Sequence, residues 1–176
     1  MTATGADRSW GWGTLPRPLE AYAGERPPAP EWFRRAQELP CERLMVPVAG
    51  CEVELLCWGE RGRPGILLLH GSMAHAGWWA AVAPLLARDY RVCALSFAGM
   101  GGSDRREHYS IALMADEARA ALDAGGLFDG PVAPIVACHS FGGKAGCLIA
   151  GNPGGERLLG MVFVDSFIIP EPKLGT

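Results

Sequence analysis

From residue 44 onward, short apolar runs alternate with amphipathic stretches. Leu44 to Val48 and Val53 to Trp58, joined by Ala49-Gly50, read as an antiparallel strand pair. Ile66 to Leu69, Arg91 to Ser96, Val132 to Cys138 and Met161 to Asp165 read as further strands. Between them lie helical stretches. Trp78 to Ala87 is one, restarted by Pro84, and Gly142 to Ala150 is another. The clearest is Ile111 to Leu122, where Ile111, Met114, Ala115, Ala118 and Leu122 share a face. Apolar strands that alternate with helices predict a mostly parallel sheet covered on both sides. The expected fold class is therefore α/β: a three-layer α/β/α sandwich with an antiparallel strand pair at its N-terminal side.

The first 40 residues break this rhythm. Residues 1 to 30 are rich in Gly, Pro and Trp, and read as an irregular, partly polyproline-like leader. A short helix over 31 to 39 follows, with Trp32, Phe33, Ala36 and Leu39 on one side, opened by Pro30 and stopped by Pro40. The predicted division is thus a leader with a short helix over 1–40 and an α/β domain over 41–176.

Composition narrows the function. Hydrophobic residues make up 49%, charged residues 20%, and the net charge is −3, as in an ordinary globular domain. There is no Lys/Arg run, so no nucleic-acid partner is expected; Arg34-Arg35 and Arg105-Arg106 read as solvated pairs. No 18-residue apolar run is present, so no membrane span is expected. The six cysteines form no C-x-x-C pair. They read as reduced, mostly buried thiols of a cytoplasmic protein, with no metal site. No cofactor motif survives inspection. After Gly99 and Gly101, Asp104 stands where a dinucleotide fingerprint needs glycine, and Cys138 and Ala145 break a phosphate loop around Gly143-Lys144.

The chemistry gathers at three loops that follow strands. Residues 131 to 146 read P-V-A-P-I-V-A-C-H-S-F-G-G-K-A-G, a strand, a sharp turn at Ser140, then a small-residue helix. A serine on such a turn is held up at the sheet edge, and its neighbours two residues away must be small. Gly142 meets that need; Cys138 stands where glycine is usual. The other two loops are His70-Gly71-Ser72-Met73-Ala74-His75 and Phe97-Ala98-Gly99-Met100-Gly101-Gly102-Ser103-Asp104. Open α/β sheets place their sites at such strand ends.

In this order, the three loops resemble the α/β-hydrolase superfamily, over about residues 44 to 170. The resemblance implies that Ser140 is the nucleophile. It implies an oxyanion hole made by the backbone N–H groups of Phe141 and Ser72. Branches that open epoxides or remove halides carry Asp at this position, so Ser140 implies hydrolysis of an ester, thioester or amide of a small molecule. Asp165 occupies one position the family uses for the acid; a loop-anchoring role is the other reading. His75 lies near the expected mouth, and Trp78 either lines the substrate pocket or anchors a helix.

The family's base follows the serine, yet His70, His75, His108 and His139 all precede Ser140. His70 is expected to be structural, and His139 to turn its ring away from the serine. The sequence therefore reads as the family fold without its last two strands and lid, a fragment with an incomplete triad. The alternative is a non-catalytic binding or interaction protein of the same fold. In either case Met161 to Asp165 would be an open edge through which the chain could self-associate.

Overall fold

The computed structural model describes residues 20–151 and 155–166. Contacts divide the chain into residues 1–31 and 32–176. In the first unit the described residues hold a single 3-10 turn, Glu20–Tyr22. The expected leader otherwise lies outside the described residues.

Among the described residues six strands form one sheet: β1 (Glu42–Val48), β2 (Cys51–Trp58), β3 (Gly65–Leu69), β4 (Arg91–Leu95), β5 (Ile135–His139) and β6 (Gly160–Val164). Their spatial order is β1-β2-β4-β3-β5-β6. β1–β2 and β2–β4 are antiparallel, and the other three pairings are parallel. The β1–β2 turn is Ala49-Gly50, both at positive φ, the geometry that matches the twist of a tight hairpin. Helices α1 (Glu31–Glu38), α2 (Ala83–Leu86), α3 (Ile111–Ala124) and α4 (Gly142–Gly151) complete the fold.

Alternation along the strands sorts the core into two layers. Leu67 and Leu69 of β3 face one side, with Met114, Ala115, Ala118 and Leu122 of α3 and Ala145 and Ile149 of α4. Leu68 faces the other, with Trp58, Ala76 and Ala83. Helices thus cover both faces, as the apolar strands require.

Several local expectations shift. The stretch expected to be helical over 78–87 is a 3-10 turn, Ala76–Trp79, followed by the single-turn α2, with Pro84 inside it. β5 begins at Ile135 rather than Val132, because Pro134 has no N–H for the ladder. Arg106 is not solvated. It is buried against Glu117, its guanidinium donating to Glu117 Oε1 at 2.7 Å and to the carbonyl of Val48.

The cysteines also depart from expectation. Cys57 and Cys93 lie directly opposite in the antiparallel β2–β4 register, Cα atoms 4.2 Å apart, and are joined as a disulfide. A linear spacing rule does not see this pairing, because register rather than sequence separation makes the two neighbours. Cys41, Cys51, Cys138 and Cys147 are free thiols.

Candidate active site

Strand order reverses at β3, whose neighbours β4 and β5 both follow it in the chain. The loops after β3 and β5 therefore leave the sheet side by side, opening the crevice where such folds bind ligands. One is the His70–His75 loop; the other holds Ser140.

Ser140 has φ +47, the left-handed region that costs a non-glycine residue energy and persists only where the surroundings impose it. Three contacts impose it here. The Ser140 amide donates to Val164 O at 3.0 Å, tying the turn to β6, and the amides of Gly143 and Lys144 donate to the carbonyls of Ser140 and Phe141 to start α4. Gly142 supplies the third. A β-carbon there would sit 2.6 Å from the His70 carbonyl oxygen, so only glycine lets α4 begin against the end of β3.

Gly71 brings the first loop against the serine. A β-carbon on it would lie 2.7 Å from His139 Nδ1 and 3.1 Å from Ser140 Cβ. Among the described residues, the amides of Ser72 and Phe141 have no hydrogen-bond acceptor, and Ser140 Oγ has no hydrogen-bond partner. Met73, next along the loop, has φ +55 and is almost fully exposed.

The histidines are placed differently. His70 is fully buried; its Nδ1 pairs with Gly71 O at 2.8 Å and its Nε2 accepts from the Phe97 amide at 3.1 Å. Burial, foremost, pulls its pKa below the usual histidine value, so it stays neutral and pins the β3 loop to the β4 loop. His75 caps the 3-10 turn, its Nδ1 accepting from the Gly77 amide. The His139 ring lies parallel to Trp78, centroids 6.0 Å apart, with a buried, unpartnered Nδ1. His108 is exposed on the approach to α3. Trp78 itself is exposed, while Trp79 packs on the core. Asp165, at φ +48, is exposed just beyond β6.

The glycine-rich loop over 97–104 is held by β2. Glu54 accepts from Arg43 Nε, the Gly102 amide and Ser96 Oγ, and its own amide donates to Ser103 Oγ. Glu52 N donates to Asp104 Oδ2. Sequence patterns alone do not register these partners, because Glu54 reads as a solvent position on an alternating strand. Burial acts to raise the Glu54 pKa, but the Arg43 pair and the Gly102 and Ser96 hydrogen bonds win and hold it low.

Comparison with known proteins settles the class. Residues 66–175 match the model of the alpha/beta hydrolase family, and the chain belongs to that family. A fluoroacetate dehalogenase from Burkholderia sp is 36% identical over 84 residues, 44% of this chain and 27% of that one. Among solved structures, a thioesterase domain from the curacin biosynthetic pathway superposes with TM-score 0.64 at 24% identity, over 76% of this chain and 49% of the other. A membrane phospholipase A, described as a bacterial virulence factor, gives 0.66 at 26%, over 80% and 44%. An epoxide hydrolase from Vigna radiata gives 0.67 at 23%, over 76% and 41%. The chain spans less than half the length of these structures and about a quarter of the dehalogenase.

Proposed function

We propose that this chain carries the nucleophile and oxyanion elements of a serine hydrolase acting on an ester, thioester or amide of a small molecule. The observation that carries the reading is Ser140 itself, on a left-handed turn between β5 and α4 and pressed against the His-Gly loop. Ser140 Oγ attacks the acyl carbonyl, and the Ser72 and Phe141 amides hold the developing oxyanion. α4 adds the positive end of its dipole. Asp165 is proposed as the acid, and His75 and Trp78 as walls for the substrate. A serine, rather than a carboxylate, favours acyl transfer over the dehalogenation and epoxide opening that some relatives are named for.

None of the four histidines hydrogen-bonds Ser140 among the described residues, so this reading assigns no general base within them. No histidine follows Ser140; His70 has both ring nitrogens engaged, and His75 serves as a cap. The test is labelling with a fluorophosphonate and mapping of the adduct by mass spectrometry. Slow modification of Ser140 is expected, accelerated by free imidazole acting as a substitute base and absent in Ser140→Ala. No adduct at Ser140 with imidazole present would favour the non-catalytic binding protein instead.

A further inference from the structure

The loop over 97–104 and α3 do not close fully on the turn that carries Ser140. They leave a cavity of about 170 Å³ walled by Phe97, Ala98, Met100, Leu113, Met114 and Phe141. Almost none of its surface is polar. We propose that this cavity takes a phenyl-sized hydrocarbon group, and that the substrate of the Ser140 site carries an aromatic ring. The second half names a substrate class and rests on the acyl-hydrolase reading; the first half does not.

The polar groups around the cavity are turned toward one another. Arg106 Nη2 donates to Glu117 Oε1 at 2.7 Å and to the carbonyl of Val48, and Nη1 donates to the carbonyl of Ala49. The same side chain holds the Cys51 thiol. Arg106 Nε has no partner among the described residues and no accessible surface, so it faces packed protein and not the cavity. Glu117 Oε2 accepts from the Ala98 amide at 3.1 Å. Ser110 Oγ accepts from the Leu113 amide as the cap of α3, and the Tyr109 hydroxyl accepts from the Arg106 amide. A buried water needs about two to four polar partners. This wall does not supply them, so the space is dry.

Size and wall chemistry select the occupant. Benzene enters an apolar cavity of about 150 Å³, and this one is slightly larger. Met100 and Met114 bring unbranched thioethers, which re-pack around an entering group and make favourable contacts with aromatic rings. Phe97 and Phe141 are further partners for a ring. A hydroxyl or carboxylate on that ring would lose its water and gain no hydrogen bond. Phe141 directly follows the nucleophile, and consecutive Cα atoms are about 3.8 Å apart. A ring lodged against Phe141 is therefore a short link from an acyl carbon on Ser140.

The first test is binding of benzene to the protein labelled with ¹³C at its methionine methyls. Saturable shifts of the Met100 and Met114 resonances are expected, and phenol should bind about tenfold more weakly. Leu113→Trp should abolish the shifts by filling the cavity; the comparison of benzene with phenol on the unaltered protein stands without it. The second test links the cavity to Ser140 by sulfonylation in the presence of imidazole. The reaction forms the Ser140 Oγ–S bond, breaks S–F, releases fluoride and passes the hydroxyl proton to imidazole. Phenylmethanesulfonyl fluoride should label about tenfold faster than methanesulfonyl fluoride. Saturating benzene should remove that advantage and leave the methyl reagent unaffected. Absence of saturable shifts, phenol binding as tightly as benzene, or no phenyl advantage that benzene removes would each overturn the proposal. If benzene binds and neither reagent labels Ser140, the hydrolase reading falls and the cavity stands as a hydrocarbon site. If methanesulfonyl fluoride labels Ser140 and benzene does not bind, the cavity assignment falls alone.

Discussion

The sulfur of Cys138 fills the space that a side chain at position 146 would need: a β-carbon on Gly146 would lie 2.5 Å from Cys138 Sγ. Cys138 stands two residues before Ser140, where the turn calls for a small residue, and Gly146 of α4 makes it fit. Gly146→Ala should therefore destabilise the protein by about 1–3 kcal/mol, from overpacking, despite the better helix propensity of alanine. Cys138→Ala should restore most of that loss in the double variant. Urea unfolding of the four proteins checks it, and additive effects would show that the two residues are not coupled.

The cysteine pairing makes a separate prediction. Unfolded in denaturant without reductant, the protein should expose four titratable thiols, those of Cys41, Cys51, Cys138 and Cys147, and six after reduction. In the native state, alkylation should reach exposed Cys41 first. Burial pushes the Cys138 thiol up to about 12 and shuts it from solvent, so it should be modified last. Six thiols without reductant would show the Cys57–Cys93 pair to be reduced.

The sheet was legible because apolar strands with helical spacers have few other solutions. All six strands lie where the apolar runs fall, to within three residues at either end. The Ser140 turn was legible because its steric needs are written in adjacent residues. Long-range polar partners were not. Glu54 meets Gly102 across 48 positions, and Arg106 meets Glu117 only because a loop folds back on α3. A charge looks solvated in a linear string whether or not the fold brings it a partner. The Cys57–Cys93 pair was hidden for the same reason: register, not spacing, makes them neighbours.

Glu54 gives the loop over 97–104 a pH dependence. Its folded pKa is lowered, so the native state holds fewer protons than the unfolded chain and stability rises with pH through this window. The contribution is complete above the ordinary carboxylate value of 4.5 and lost as pH falls through the lowered one. Glu54→Gln should cost roughly 2 kcal/mol at pH 7, typical of charge-assisted hydrogen bonds, and progressively less as pH falls below 4.5. Thermal melts of both proteins across that range check it; a pH-independent difference would rule out the carboxylate.

Gly71→Ala tests the fit of the oxyanion loop against the Ser140 turn. The added methyl meets His139 Nδ1 and Ser140 Cβ, so the loop must retreat and carry the Ser72 amide with it. A displacement of about 1 Å in such a site costs on the order of 10²-fold in rate. Imidazole-assisted labelling of Ser140 should slow by about that factor, with a loss of stability of about 1–3 kcal/mol from the same clash, read separately from the urea midpoint. An unchanged labelling rate would remove the Ser72 amide from the oxyanion hole.

β6 closes the sheet at one side, and among the described residues nothing pairs with its outer edge. The strand, Gly-Met-Val-Phe-Val, has neither a charge nor a proline to discourage a second strand. Val162 and Val164 are 47% exposed on the face turned away from Met161 and Phe163, so an added strand also finds an apolar surface. Edge pairing between two copies should therefore appear as a concentration-dependent mass in analytical ultracentrifugation. Val162→Lys places a cation on that face and should shift the protein toward monomer while leaving its circular dichroism intact. A monomer at all concentrations would rule out edge pairing through β6.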